Sequence, residues 1–240
     1  MTEFRPGSFQ MIPPVIKNLI IINGLIWLAE MTLGSNIAEW MFNTFALHDV
    51  HSALFKPHQV VTYMFLHDNH GFEHILFNMF ALWMFGAVLE NYWGGKRFLV
   101  FYMVSGIGAA VCQLAVLYHE MAPIADQIHN QIGYYPADQQ QEYLLSPENP
   151  LNGSTVGASG AIFGCLAAFG YLFPNSLIYL YFFVPLKAKW VVLGYAAIEL
   201  FSGVRASAGD NVAHWAHLGG GLVGLILVMF WNRTNRRNFY

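Results

Sequence analysis

The chain has 240 residues, of which 56% are hydrophobic and only 10% are charged, and its formal net charge is −3. Soluble domains carry about 25% charged residues, so this composition excludes an ordinary soluble domain and predicts a polytopic membrane protein. The 11 basic residues are scattered instead of forming a stripe, which argues against nucleic acid as a partner. Both cysteines, Cys112 and Cys165, lie within apolar runs, so we expect buried thiols and not a disulfide.

Six apolar segments follow one another along the chain and predict six membrane-spanning helices. A span takes about 20 residues, or fewer where protein instead of lipid surrounds the helix. The predicted spans are residues 19–33, 72–89, 98–118, 156–173, 190–204 and 212–231. A further apolar stretch, 177–186, is bracketed by prolines and too short to span, so we expect it at the membrane interface. The predicted fold is all-α, a single polytopic six-helix membrane domain over residues 1–240, with a short N-terminal segment, 1–17, and a short basic tail, 232–240.

The basic residues also orient the spans, because cytoplasmic loops carry an excess of lysine and arginine. Nine of the 11 precede the first span, follow the sixth, or lie in the loops after the second and fourth spans. The alternate loops hold only Lys56 and Arg205. Both termini are therefore predicted to be cytoplasmic, and the long polar loops 34–71 and 119–154 to lie outside, the second of them irregular and mobile. A compact chain of this kind suggests the cytoplasmic membrane of a bacterium, with membrane lipid around it.

Polar residues inside spans are costly, so each one marks a candidate function. The second, fourth and sixth spans all begin on the outer side, and near their starts lie His74 with Asn78, then Ser159, then His217. At a rise of about 1.5 Å per residue, these groups lie at similar shallow depths. The arrangement fits serine acyl transfer, in which His217 takes the proton of the Ser159 hydroxyl. Free N–H groups at the helix start, with His74 and Asn78 at helical spacing, could bind an oxyanion.

Small residues surround both the serine and the histidine. Gly157, Gly160 and Gly164 lie around Ser159, and four glycines follow His217. Glycines remove the side chains that keep helix backbones apart, so the fourth and sixth spans can touch and bring the hydroxyl to the imidazole. A glycine-serine cluster alone is most often a packing feature, and its match in depth with the histidines is what favours catalysis.

No carboxylate is predicted to complete a catalytic triad. The sixth span contains no Asp or Glu, and Asp210 just before it is expected at the surface. We therefore predict a Ser–His dyad, in which Phe163, one turn after the serine, could stack on the ring of His217. His214 is expected to support His217 or to contact a loop. Glu199, inside the fifth span, is expected to be buried and paired instead of catalytic.

These residues together resemble the rhomboid family of intramembrane serine proteases, over residues 65–227. Any one motif is weak, but their order, spacing and placement on helices are specific. The matching motifs are Gly157-Ala-Ser159-Gly160, His74-Ile-Leu-Phe-Asn78 preceded by Phe65-Leu-His67, Ala216-His217-Leu-Gly-Gly-Gly-Leu-Val-Gly224, and Glu90-Asn-Tyr-Trp-Gly94 at the end of the second span. The last of these is expected to be structural.

The resemblance implies a six-helix core with Ser159 as nucleophile and His217 as general base. It implies an oxyanion hole formed by the Ser159 backbone, His74 and Asn78, and neither a metal nor another cofactor. The implied partners are transmembrane protein substrates, cleaved near their outer ends at a small residue, with the fifth helix and the loop before the sixth as a gate. Two features depart from the family: a Trp-Arg pair is absent from the first outer loop, and Phe163 stands where relatives often have tyrosine.

Two other functions fit parts of the sequence. The spacings His67-x2-His70-x3-His74 and His214-x2-His217 are similar to the histidine boxes of membrane metalloenzymes, whose imidazoles bind iron or zinc. That interpretation leaves the serine and its glycines without a role. The other alternative is a non-catalytic rhomboid-like binding protein, although such proteins characteristically lack the serine or the histidine.

Overall fold

The computed structural model of this chain describes residues 9–68, 71–180, 183–205 and 212–236, and within these ranges it is mainly helical. The helices are α1 (Pro14–Thr32), α2 (Ser35–Phe45), α3 (Gln59–Thr62), α4 (Glu73–Ala81), α5 (Ala87–Trp93), α6 (Gly95–Ile132), α7 (Ala137–Leu145), α8 (Ser159–Leu172), α9 (Ala188–Arg205) and α10 (His214–Arg236). The strands are β1 (Leu47–His48), β2 (Ser154–Thr155), β3 (Leu177–Leu180) and β4 (Val184–Lys187). His70, Asp210 and the ends of the predicted N-terminal segment and basic tail lie outside the described residues.

Four helices in the described part of the chain are long and apolar enough to cross a membrane. They are Pro14–Thr32, Glu73–Trp93, Gly95–Ile132 and His214–Arg233, of which Glu73–Trp93 joins α4 and α5 through a π turn at Leu82–Gly86. These four correspond to the first, second, third and sixth predicted spans. The other two predicted spans form α8, which is apolar but has only 14 residues, and α9, which carries three charged residues, so length and composition alone do not reach a count of six.

Helix α8 lies at the centre of the bundle, against α6, α9 and α10. Nine of its 14 residues are buried. A helix enclosed by protein can be shorter than a lipid-exposed span, because its neighbours cover it. In contrast, α1 and α9 expose large apolar side chains, among them Leu25, Trp190 and Phe201. Such outward faces suit the hydrocarbon core of a bilayer.

Helix α6 is much longer than the predicted third span, 98–118. Its 38 residues correspond to a length of about 57 Å, whereas the hydrocarbon core of a bilayer is about 30 Å thick. The prediction of an irregular loop over 119–154 was therefore wrong, because α6 continues to Ile132 and α7 follows it. Ile124, Ile128 and Ile132 repeat at helical spacing and are partly buried, which extends the helix beyond the apolar run.

The all-α prediction missed two small antiparallel sheets. β3 pairs with β4 across the stretch that was predicted to be interfacial. A hairpin pairs its own backbone N–H and C=O groups, which an apolar stretch requires wherever water is scarce. β1 pairs with β2, so that His48 lies opposite Ser154 and the loop after α2 is held against the segment that leads into α8.

Glu90, on α5, binds the N-terminal end of α1. Its two carboxylate oxygens accept hydrogen bonds from the backbone N–H groups of Val15 and Ile16, at 2.9 and 2.8 Å. A negative charge at a helix N-terminus satisfies N–H groups that have no partner within the helix and interacts favourably with the helix dipole. Glu90 is itself buried. This contact gives the Glu90 motif a structural role.

Candidate active site

Ser159 and His217 are in hydrogen-bond contact near the N-terminal ends of two neighbouring helices. Ser159 is the first residue of α8, and His217 is the fourth of α10. The distance between His217 Nε2 and Ser159 Oγ is 2.7 Å, and the pair is partly buried. When the hydroxyl donates this bond, Nε2 is the acceptor and the ring hydrogen lies on Nδ1. The geometry is therefore suited to proton transfer from the serine to the histidine.

The two helices approach closely because glycines face each other where they cross. A Cβ atom on Gly220 would overlap the carbonyl group of Gly160, and one on Gly224 would lie 2.6 Å from the Cα of Gly164. Carbon atoms in contact are normally about 3.5–4.0 Å apart, so neither position on α10 has room for a side chain. The fourth and sixth predicted spans thus meet at their glycines, and this contact sets the distance between serine and histidine.

An aromatic stack restrains the ring of His217. The ring of Phe163 lies parallel to it, with the centroids 4.3 Å apart and 6° between the planes. Tyr195 of α9 stacks in turn on Phe163, with centroids 5.1 Å apart and planes 12° from parallel. Stacked rings limit the rotation of the imidazole and so favour one orientation. Phe163 lies where its spacing from Ser159 suggested, whereas the contribution of Tyr195 was not predicted.

A carboxylate lies beside His217, although none was predicted there. Oε2 of Glu199, on α9, is 2.5 Å from His214 Nδ1 and 3.1 Å from His217 Nδ1. The contact with His214 is a hydrogen bond of normal geometry. Nδ1 of His217, in contrast, is buried, and although it lies within reach of the carboxylate it makes no hydrogen bond of normal geometry within the described residues. Glu199 is only 5% exposed, and it is both buried and paired, as the sequence suggested.

The glycine at position 157 leaves open the space between His74 and Ser159. A Cβ atom there would lie 3.0 Å from His74 Nε2 and 3.8 Å from Ser159 Oγ. Gly157 also has a φ of +120°, which residues with a side chain rarely adopt. The backbone N–H of Asp68 donates to His74 Nδ1 at 3.3 Å. The ring hydrogen of His74 is therefore on Nε2, from which it can donate into the open space.

Asn78 and His67 both contact His74. Asn78 is buried one turn further along α4, and its Nδ2 donates to the backbone carbonyl of His74 at 2.9 Å. This bond uses one of the two amide hydrogens, so the other can still donate. The ring of His67 is fully buried and packs edge-on against the ring of His74, with centroids 5.3 Å apart. Burial, with a smaller electrostatic effect of His74, lowers the pKa of His67 to about 3, so His67 is a neutral packing partner.

Comparison with known proteins places these residues in a family. The model of the rhomboid domain matches residues 55–233 of the chain. The chain belongs to the rhomboid family. The matched region begins after β1 and ends within α10, so it includes Ser159 and His217 as well as His74 and Asn78.

Three relatives show how this rhomboid protein compares with others. Rhomboid protein 1, mitochondrial, of Saccharomyces cerevisiae is 30% identical over 155 residues, which are 65% of this chain and 37% of the relative. Rhomboid-like protein 11, chloroplastic, of Arabidopsis thaliana is 27% identical over 226 residues, 86% of this chain and 64% of the relative. Putative rhomboid protease YdcA of Bacillus subtilis is 26% identical over 234 residues, 97% of this chain and 96% of the relative. The chain therefore spans less than two thirds of the first two relatives.

One cluster in the described part of this rhomboid protein offers three side chains that could hold a metal ion. Glu199, His214 and His217 each have a ligand atom within 4.8 Å of the other two. Two imidazoles and a carboxylate suit zinc or iron. Tetrahedral zinc binds such atoms at about 2.0–2.2 Å, which holds two ligands about 3.3 Å apart. Glu199 and His214 are closer than that, at 2.5 Å, so their contact is a hydrogen bond. His70, part of the other histidine box, lies outside the described residues.

Sequence reasoning missed two features of the rhomboid site, and both lie on α9. Tyr195 and Glu199 are four residues apart, which puts them on one face of the helix. A signal for Glu199 was present. It lies six residues before the end of α9, and His217 is the fourth residue of the next helix, so two antiparallel neighbours carry them at similar depth.

Proposed function

We propose that this rhomboid protein is an intramembrane serine endopeptidase that hydrolyses peptide bonds of transmembrane substrates near the outer face of the membrane. Ser159 is the nucleophile and His217 the general base. The observation that carries the proposal is the 2.7 Å contact between His217 Nε2 and Ser159 Oγ, made by two helices that pack through glycines. The name of Putative rhomboid protease YdcA, which is similar to nearly the whole of this chain, supports it.

The reaction begins when Ser159 Oγ attacks the carbonyl carbon of the scissile bond while its proton passes to His217 Nε2. The negative charge moves to the carbonyl oxygen of a tetrahedral intermediate. As the intermediate collapses, the C–N bond breaks, His217 gives its proton to the leaving amine, and an acyl group remains on the serine. A water molecule deprotonated by His217 then hydrolyses this ester, which releases the second product and restores the serine.

The oxyanion of the tetrahedral intermediate requires hydrogen-bond donors. The first N–H groups of α8 have no partner within the helix, and they begin at Ser159. The Nε2–H of His74 lies beside the space that Gly157 leaves open. Asn78, on the same helix, adds an amide donor. We assign the oxyanion hole to the Ser159 backbone, His74 and Asn78.

The domain that performs this reaction is inferred to have six spans and cytoplasmic termini. Its short fourth span, α8, is feasible because protein encloses it. The distribution of basic residues supports an outer position for the starts of α4, α8 and α10, where polar side chains can hold the water that hydrolysis consumes. We infer a bacterial cytoplasmic membrane from the nearly full-length match to the Bacillus subtilis relative, although the other two relatives are named as mitochondrial and chloroplastic.

Transmembrane substrates are proposed to reach the serine where α9 moves aside. Only Ala188 and Glu199 of this helix are buried, whereas most of α8 is buried. A helix with few buried residues opens at a lower free-energy cost than one in the core. The narrow space at Gly157 supports a small residue at the cleaved bond, because little room separates His74 from Ser159 there.

The proposal is tested on purified protein in lipid vesicles with a fluorophosphonate probe and a transmembrane test substrate. We expect the wild type to be labelled and to cut the substrate, with EDTA affecting neither. Ser159→Ala should abolish both activities. Ser105→Ala is the matched control, because this serine of α6 is buried and its hydroxyl has no hydrogen-bond partner within the described residues, so labelling and cleavage should persist.

Three results would contradict the proposal. Labelling that persists in Ser159→Ala would mean that another residue is the nucleophile. Cleavage that survives in Ser159→Ala and disappears with EDTA would favour a metal site. A folded wild type that binds the transmembrane test substrate, but neither cleaves it nor reacts with the probe, would identify a non-catalytic binding protein.

A further inference from the structure

The Nδ1–H of His217 is a buried polar group whose hydrogen bond is incomplete. Nδ1 is shielded from solvent and has no hydrogen bond of normal geometry within the described residues. A carboxylate oxygen of Glu199 is nevertheless only 3.1 Å away. Leaving a buried N–H without an acceptor is unfavourable, and a modest rotation of the ring would direct this hydrogen at the oxygen. The two groups are therefore positioned for a bond that the free enzyme has not completed.

Glu199 is held in place from its other side. His214, one turn before His217 on α10, binds the same carboxylate oxygen at 2.5 Å through its Nδ1. A carboxylate inside a membrane helix is costly and requires such pairing. The oxygen therefore lies between two imidazoles, one of which makes the stable bond and the other of which belongs to the serine–histidine pair.

We propose that Glu199, anchored by His214, is a positioning residue that orients His217 for catalysis, which makes the site a triad assembled from three helices. The inference rests on the proposed protease function. Glu199 holds the imidazole in the tautomer with its hydrogen on Nδ1, so that Nε2 remains free to accept the proton of Ser159. When that proton arrives, the ring becomes positively charged and the nearby carboxylate stabilises it, while the Nδ1 hydrogen stays on the ring.

Helix α9, which supplies Glu199, also restrains His217 through a second side chain. Tyr195, one turn earlier on α9, reaches His217 through Phe163, so α9 contacts the histidine by two independent routes. If α9 moves aside to admit a substrate, Glu199 and Tyr195 are both withdrawn, and His217 keeps only its stack on Phe163 of α8. Proton transfer then becomes efficient only after α9 has returned.

The kinetic test compares Glu199→Gln with wild type on the same transmembrane substrate. The amide is nearly isosteric and can still bind His214, but it has no charge to offer His217. We expect kcat to fall by about 10- to 100-fold, part of the about 100- to 10,000-fold that general acid–base catalysis supplies, with KM changed by less than about twofold. Labelling by the fluorophosphonate should slow in parallel. His214→Gln, which loosens the anchor, should lower kcat less.

Glu90→Gln is the matched control, because Glu90 is an equally buried carboxylate in a membrane helix and binds the start of α1 instead of the histidine. It should lower the unfolding temperature and leave the kcat of the folded protein unchanged. A purely structural role for Glu199 would give the same result as this control, whereas a positioning role lowers kcat in protein that remains folded.

A spectroscopic measurement separates this inference from the protease proposal. In protein with 15N-labelled histidine, the Nδ1 hydrogen of His217 should give a resonance shifted downfield by Glu199 and lost in Glu199→Gln. That shift without any cleavage would show that Glu199 orients His217 but would reject the protease function that this orientation is proposed to serve. Wild-type cleavage with an unchanged kcat in Glu199→Gln, or with no effect of this variant on the His217 resonance, would overturn the inference. If Glu199→Gln does not fold, the wild-type tautomer decides, since a hydrogen on Nε2 instead of Nδ1 contradicts it.

Discussion

Replacing Gly220 with alanine tests whether the contact of α8 with α10 sets the geometry of the candidate site. The new Cβ would lie 2.7 Å from the carbonyl carbon of Gly160, which is about 1 Å less than the usual distance between carbon atoms in contact. Because both partners are backbone atoms, the overlap is relieved only when the helices separate. A separation of about 1 Å would lengthen the 2.7 Å contact between Ser159 and His217 beyond hydrogen-bond range.

Two effects of Gly220→Ala follow from that separation. The free energy of unfolding should fall by about 1–3 kcal/mol, the usual cost of overpacking a well-packed core. The kcat should fall by about 100-fold, because a misplacement of about 1 Å has an effect of this size on catalysis. Denaturation in detergent measures the first effect, and cleavage of a transmembrane substrate, normalised to folded protein, measures the second.

The neighbouring glycine on α10 provides the control. A Cβ atom on Gly221 would meet only the carbonyl oxygen of Phe163, at an ordinary 3.8 Å, so Gly221→Ala should keep both the stability and the rate of wild type. Unchanged stability and cleavage in Gly220→Ala would refute the argument, because the helices would then accommodate a methyl group without moving. Equal losses in both variants would show that α10 does not tolerate alanine for reasons other than this contact.

Three further variants test other parts of the fold and site. Asn78→Ala should lower kcat by about 100-fold without unfolding the protein, since one oxyanion donor is typically worth that much; an unchanged rate would reject its role. Gly157→Ala should lower kcat/KM by about 100-fold, because its methyl group would fill the space between His74 and Ser159 and displace groups that require precise placement; wild-type turnover would show that the oxyanion does not use this space. Glu90→Gln should reduce the free energy of unfolding by about 1–2 kcal/mol, somewhat less than a full charged hydrogen bond, and denaturation curves that coincide with wild type would show that it does not stabilise α1.

The sequence predicted the parts of this protein that depend on chain direction and local composition. Apolar segments and basic loops indicated that the starts of three helices share one side, and this placed Ser159, His217 and His74 at one level before any contact was known. The glycines after His217 indicated where two helices could meet, because only small residues permit backbones to approach so closely. The 2.7 Å contact between serine and histidine is the direct result.

The remaining features depend on information that hydropathy does not carry. The extension of α6 to Ile132 rests on three isoleucines at helical spacing within a polar stretch, which an average over a membrane-length window hides. The hairpin of β3 and β4 arises from pairing between two short apolar stretches. The aromatic and β-branched residues of 177–184 suit a strand as well as the membrane interface, and hydropathy does not distinguish the two. Contacts between side chains of different helices are harder still to predict from the sequence, because they depend on the rotation of each helix about its axis. The sixth span contains no Asp or Glu, and the carboxylate beside His217 comes from α9.

The position of Glu199 on α9 would link the entry of a substrate to the orientation of His217. Helix α9 is the least buried wall of the candidate site, and it also carries Glu199 and Tyr195, which contact His217 directly and through Phe163. On the proposed mechanism, a movement of α9 that admits a substrate would also withdraw Glu199 and Tyr195, so His217 would regain these positioning contacts only when α9 has returned.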